Sequence, residues 1–455
     1  MLTRGRWREK LLTLAVVAIV LSSTLIASKI GLLESLIPAY QKEKFPAQDE
    51  VTNYSIQASF DPKEKVLTAQ EQVTYVNQHG KLEFLYFHLY PNAFQSEDTA
   101  PFEKSEMKRA YPNGFEPGMI EIHSIEAEGQ ALHFSLMGKG NTILKVNLNQ
   151  PLQKKESIEL TIQFTVKIPP SYGRFGYGEN TVNICNWYPI LSVFDGKGWN
   201  LEPYHPIGDP FYSDVSKYRV ELLIPQEYTL CFTGNLLKKE NIDGKVRWTI
   251  EAEAVRDFAM VASEKFKTAE TEIDGIQIIS YFFEDEYGEQ ALQTAKDSIQ
   301  IFNRLYRPYP YKQFSVAAAD FFIGGMEYPN LVLIDQTLYS EERKDILEYV
   351  IAHEVAHQWW YGIVGNDQIR EPWLDEALTE YATLLYYEKK YGQEVKNQIF
   401  EEMMVKSYQT YQEKIAKQAA DERIYRSIKE FENGLEYQVL VYHKGAMFLE
   451  DLRRQ

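Results

Sequence analysis

Ile351-Ala352-His353-Glu354-Val355-Ala356-His357-Gln358-Trp359-Trp360 is the stretch on which the reading of this chain turns. A helix of 3.6 residues per turn puts His353 and His357 on one face, one turn apart, where both reach a single metal ion. Glu354 lies beside them. Its offset makes it a poor ligand but places it well to take a proton from a water in the metal's open fourth position. Glu376, with eighteen residues between it and His357, is the expected third ligand, because two imidazoles and one carboxylate leave one corner of a tetrahedral zinc for solvent.

The flanking residues predict the helices that carry this set. Ser340 reads as an N-cap with Glu341 and Glu342 in the first turn. Ile346, Val350, Ile351, Val355 and Trp359 then recur at helical spacing, which predicts a helix over 341–362 ended by Gly362 and Gly365. A second helix, 372–391, opens at Pro372 and runs through Leu374, Leu378, Tyr381 and Leu385 to Lys389, Lys390 and Gly392. Glu376 sits early on it, so packing of the second helix on the first completes the ligand set. The competing reading makes these polar residues ordinary members of two amphipathic helices.

Outward from the two helices the chain divides by pattern. Strands at 276–283, 314–319 and 331–334 interleave with helices at 288–305, 341–362 and 372–391, the mixed character of an α+β catalytic region over 269–455. From 49 to 268 strict alternation dominates. Its clearest run is Ile158-Glu159-Leu160-Thr161-Ile162-Gln163-Phe164-Thr165-Val166-Lys167-Ile168, and turn signals such as Pro112-Asn113-Gly114 and Asp243-Gly244 separate such runs into an antiparallel sheet domain.

Residues 11–28 contain no charge and are just long enough to cross a bilayer as a helix. Four basic residues against one acidic residue in 1–10 place the N-terminus in the cytoplasm and everything after Lys29 on the far side of the cell membrane. A cleaved signal peptide is the alternative, with Ile26-Ala27-Ser28 a poor match to its cleavage pattern. Residues 29–48, rich in Lys, Glu, Gln and Pro without sustained period, read as a tether. The net charge of −17 argues against nucleic acid as a partner, since that affinity comes from Lys and Arg neutralising phosphates. Cys185 and Cys231 are the two cysteines; they either pair or stay as buried thiols, and neither has a metal-ligand spacing.

Gly324-Gly325-Met326-Glu327-Tyr328-Pro329-Asn330 falls between two expected strands, where adjacent glycines let backbone approach a ligand and a strand edge can pair with an extended peptide. Together with His353, Glu354, His357 and Glu376, the run Trp373-Leu374-Asp375-Glu376-Ala377, and Tyr442-His443-Lys444-Gly445-Ala446, this loop resembles the successive motifs of the aminopeptidase N-like family of gluzincin metallopeptidases, in the family's order. The resemblance covers the chain from about residue 50 to its end and is strongest over 320–445.

The resemblance implies a saddle-shaped antiparallel β domain followed by a thermolysin-like catalytic domain with one zinc ion per chain, here behind an N-terminal membrane helix. It implies that Glu327, on the loop of Gly324, Gly325 and Met326, binds the α-ammonium of peptide substrates with a free N-terminus, and that Tyr442 donates to the oxyanion, where a phenol acts only on charge that develops in the tetrahedral intermediate. Glu380, one turn after Glu376, is either an acceptor for the second ring N–H of a ligating histidine or a solvated helical acid. The expected activity is zinc-dependent removal of N-terminal residues. The alternatives are a related endopeptidase, a non-peptide hydrolase and a non-catalytic binding module. Two departures stand out. The family's second amine-binding residue in the β domain has no unambiguous counterpart in Asn186-Trp187-Tyr188-Pro189-Ile190-Leu191, and thirteen residues follow Tyr442 where the family continues with further helices, as expected of a fragment.

Overall fold

The computed structural model describes residues 51–415 and 421–455. The expected cytoplasmic segment, membrane helix and tether lie outside the described residues. Among the described residues no helix is long and apolar enough to cross a membrane.

Alternating sequence builds the first half. Ser157–Lys167 buries Leu160, Ile162, Phe164 and Val166 and turns the residues between them outward, as period-two patterning requires. That strand belongs to an eight-stranded sheet ordered Asn235–Ile242, Lys245–Val255, Ser216–Pro225, Thr52–Asp61, Val66–Val76, Ser157–Lys167, Met119–Ala127 and Gln130–Ala131. The sheet departs from the all-antiparallel expectation at one seam: Thr52–Asp61 runs parallel to Ser216–Pro225, with Thr52 opposite Ser216. A parallel pair needs a long return connection, and here the chain between the two strands forms most of two four-stranded sheets before coming back.

A five-stranded sheet follows, ordered Lys267–Ile273, Ile276–Phe282, Gln313–Ala319, Leu331–Asp335 and Gly325–Met326. Its three middle strands are mutually parallel and its two edges antiparallel. Both faces are covered, which explains why Gln313–Ala319 is buried at every position. Phe314, Val316, Ala318, Val332 and Ile334 join the core under the helices. Ala317, Ala319, Leu331 and Leu333 join the core of the β half. This sheet is therefore the wall between the two cores, and its edge strand carries Gly325 and Met326.

Two helices pack on it, α1 (Asp285–Leu305) and α2 (Lys344–Ala356), and α3 (Trp373–Tyr391) packs on these two. Two expectations are corrected in α2. Its first residues, Glu341–Arg343, form a separate 3-10 turn, and Ser340 makes no side-chain cap. Its end comes at Ala356, with His357 as the C-cap residue, because the carbonyls of His357, Gln358 and Trp359 accept from the amides five residues on, those of Gly362, Ile363 and Val364. Gly362 permits this wider turn: a side chain there would meet the Gln358 carbonyl oxygen at 2.7 Å. Ile346, expected in the apolar stripe, is exposed, and Leu347 takes the inward position. α3 is buried over most of its circumference instead of along one stripe. Cys185 and Cys231 are both free and buried.

Candidate metal and peptide-binding site

α2 and α3 bring three buried donors to one point. His353 Nε2 and His357 Nε2 lie 3.2 Å apart, and Glu376 Oε2 lies 3.4 Å from the first and 3.2 Å from the second. A tetrahedral zinc with bonds of about 2.0–2.1 Å separates its ligand atoms by about 3.3 Å. Glu376 Oε2 is buried and receives no hydrogen bond, although two ring nitrogens face it. Lone pairs turned on one another in this way are what a shared cation satisfies, so the residues present fit zinc.

Each histidine is oriented from behind by an acid of α3. His353 Nδ1 is 3.0 Å from Glu380 Oε2, whose other oxygen accepts from the Tyr349 hydroxyl at 2.7 Å. His357 Nδ1 is 2.8 Å from Asp375 Oδ1, and Gln368 Nε2 donates to Asp375 Oδ2 at 2.5 Å. With Nδ1–H given to a carboxylate, each Nε2 keeps its lone pair for metal. Glu380 is buried and within hydrogen-bonding distance of His353 Nδ1, so it is not a solvated acid. Asp375 was passed over in the sequence, although it sits beside Glu376 in Trp373-Leu374-Asp375-Glu376-Ala377. Burial alone would raise Glu376, but the two histidines reverse this and hold it below the ordinary carboxylate range.

Glu354 is buried, and its Oε2 has no hydrogen-bonding partner. Burial, only partly offset by the neighbouring histidines, pushes its carboxyl up to about 7. Its other oxygen lies against Gly325, where an added β-carbon would be 2.1 Å away. The glycine that sequence reasoning assigned to ligand approach thus makes room for Glu354. Gly324, with φ of 111°, turns the chain into the edge strand, and its carbonyl accepts from the Asp335 amide at 2.8 Å.

Glu327 is buried, and a carboxylate oxygen of it lies within 4.8 Å of a ring nitrogen of His357. Its Oε1 has no partner, and burial followed by the charge of Asp209 pushes its carboxyl well up. Met326 Sδ accepts from Arg174 Nε at 2.9 Å, and Arg174 also forms a buried ion pair with Asp209. Nothing in the local sequence of Arg174 or Asp209 signals that meeting, which joins segments far apart in the chain. Tyr442 stands on the other flank of the metal ligands. Its ring stacks on His353 with centroids 5.7 Å apart, and its hydroxyl donates to Glu376 Oε1 at 2.6 Å. Glu202, in the β half, pairs with Lys429 and stands 3.9 Å from His205 Nε2.

Residues 290–455 match the peptidase family M1 domain. Leucine aminopeptidase 2-2 of Scheffersomyces stipitis is 38% identical over 88 residues, 19% of this chain and 14% of that protein. Aminopeptidase N of Canis lupus familiaris is 34% identical over 108 residues, 22% of this chain and 11% of that protein. The matched stretches are thus a small part of these relatives' own lengths. Among solved structures, an M1 zinc metallopeptidase from Deinococcus radiodurans superposes with a TM-score of 0.57 at 15% identity, covering 89% of this chain and 82% of that one, which establishes the shared fold.

Proposed function

We propose that this chain, whose residues 290–455 match the peptidase family M1 domain, is a zinc aminopeptidase hydrolysing the N-terminal bond of peptides with a free α-ammonium. The observation that carries the reading is the meeting, in one buried cluster, of a three-donor metal set with two partnerless carboxylate oxygens, Glu354 Oε2 and Glu327 Oε1. Zinc held by His353, His357 and Glu376 would supply Lewis acidity, polarising the scissile carbonyl and making water more acidic.

The protein's own groups do the rest. Glu354 takes a proton from the attacking water and delivers it to the departing amine nitrogen as the C–N bond breaks, a task suited to a carboxyl whose affinity for protons burial has raised. Glu327 receives the α-ammonium. Anchoring that end fixes which bond reaches Glu354, so single residues are removed. Tyr442 turns its hydroxyl from Glu376 to the carbonyl oxygen as negative charge develops there. Asp375 and Glu380 hold the two imidazoles in the tautomer that leaves each Nε2 free. Location of this site across a membrane from the N-terminus belongs to the same proposal and is supported by the uncharged run 11–28 and the excess of basic residues in 1–10.

The test uses aminoacyl fluorogenic substrates with free or blocked N-termini, with and without a chelator. Cleavage of the free-amine substrate alone is expected, abolished by chelation and by Glu354→Gln, the variant retaining its zinc. Equal cleavage of blocked substrates would assign an endopeptidase, and zinc binding without cleavage a binding module.

A further inference from the structure

Glu327 has no hydrogen-bond donor on Oε1, which leaves its backbone and the residues beside it as the means of holding it toward the metal set. The next residue, Tyr328, is fully buried and held on two sides. Gln358, which directly follows the ligand His357, donates from Nε2 to the Tyr328 carbonyl at 3.2 Å and accepts at Oε1 from the Asn330 amide at 2.9 Å. From the β half, Asn186 Oδ1 accepts the Tyr328 hydroxyl at 2.6 Å, and Asn186 Nδ2 donates to Asp257 Oδ2 at 2.5 Å. Asp257 Oδ1 accepts in addition from Tyr188 at 2.9 Å and from the Phe258 amide at 2.7 Å.

We propose that Asn186 and Asp257 are positioning residues for free-amine recognition: by fixing Tyr328 they fix Glu327. The inference rests on the amine-binding role given to Glu327 above. The direction of the relay follows from donor and acceptor inventory. Asp257 already accepts from the Tyr188 hydroxyl and the Phe258 amide and, when ionised, offers acceptors alone, so Asn186 turns its Nδ2 toward it and its Oδ1 toward the loop, and the Tyr328 hydroxyl donates. Burial pushes the Asp257 carboxyl up to about 7, opposed by its bonds from Tyr188 and Phe258, so above that pH it is purely an acceptor. Asn186 reaches the loop from a left-handed backbone, φ of 51°, a conformation that asparagine tolerates better than most side chains. The segment Asn186 to Leu191, which offers no clear amine ligand, has this other use.

Tyr328→Phe deletes one hydroxyl and keeps the ring. At pH 8 its kcat/KM for free-amine substrates is expected to fall about tenfold, mostly through KM, with blocked substrates still uncleaved and zinc content unchanged, the size being that of a sub-ångström misplacement of a binding group. In a Glu327→Gln background the same change should have no further effect. Should Tyr328→Phe fail to fold, Asn186→Gly breaks the same link at a residue whose backbone suits φ of 51°, and the same loss is expected. An unchanged KM and kcat/KM for the free-amine substrate in a folded variant overturns the proposal, as does an additive loss in the Glu327→Gln background. A parent that cleaves blocked and free substrates equally overturns the aminopeptidase reading, and this inference with it.

Discussion

Replacing Gly325 with alanine tests the placement of the proposed base without touching a metal ligand. The new β-carbon would fall 2.1 Å from Glu354 Oε1 and 2.4 Å from its Cδ, against a nonbonded separation of roughly 3.5 Å. The backbone at 325 lies outside the left-handed region, so alanine is acceptable there and the contact itself is the perturbation. Gly325 is paired in register with Ile334 on the neighbouring strand, and the backbone of α2 is locked in the core, so the group that yields is the Glu354 carboxyl. It has to swing by about 1 Å or more, which a rotamer change allows at little expense to folding. Catalysis has no such latitude. A displacement of about 1 Å at a reacting group lowers the rate on the order of 100-fold, about 2.7 kcal/mol at the barrier. The assay is kcat/KM on a free-amine aminoacyl substrate, with zinc content and melting temperature measured on the same preparation. A fall of about 100-fold at unchanged zinc and nearly unchanged melting is expected. Retention of activity within about threefold of the parent would refute the reasoning, since the reaction would then draw its base from somewhere other than the Glu354 carboxyl beside Gly325.

Glu380→Gln and Asp375→Asn should each weaken zinc binding about 10- to 100-fold, read by competition with a chromophoric chelator, because each removes the charge that orients an imidazole. Tyr442→Phe should lower kcat about 100-fold with little change in KM, the pattern of a donor used only in the transition state; a rise in KM alone would place the phenol in ground-state binding. Glu71 is buried between Ile56 and Ile162 of the adjoining strands, neither of its oxygens has a partner, and burial raises its carboxyl well above 4.5. The unfolded chain therefore releases this proton first, and stability falls as pH rises from about 4.5 toward the folded value. Glu71→Gln should remove that decline, so its advantage in thermal midpoint over the parent should widen between pH 5 and pH 8, and a constant difference would show that Glu71 does not titrate in that range.

What was legible in the sequence was whatever a short period encodes. His353 and His357 meet because four residues make one turn, and the strand Ser157–Lys167 faces the core because its apolar residues alternate. The end of α2 was not legible: its apolar pattern runs on to Trp359, while the helix stops at Ala356 because Gly362 lets the chain fold back over the Gln358 carbonyl. The parallel seam between Thr52–Asp61 and Ser216–Pro225 was hidden for a related reason, since register between strands far apart in the chain leaves no local mark. Asn186 illustrates the same limit, as its neighbours in sequence say nothing of Tyr328.

The His353, Glu376 and Tyr442 motifs lie on different segments and converge on one helix, α3. α3 supplies the ligand Glu376 and both acids behind the histidines, Asp375 and Glu380, so the register of α3 against α2 sets three of the site's distances at once. The Tyr442 segment is fitted to the same helix by close approach: a β-carbon on Gly445 would lie 2.5 Å from the β-carbon of Ala377, the residue after Glu376. Small residues at 377 and 445 therefore bring the Tyr442 hydroxyl within 2.6 Å of Glu376 Oε1. A larger side chain at either position would separate the phenol from the metal ligands while leaving the His353 and His357 spacing intact. That is a physical reason for a glycine and an alanine to stand in stretches otherwise remembered for their tyrosine and glutamate.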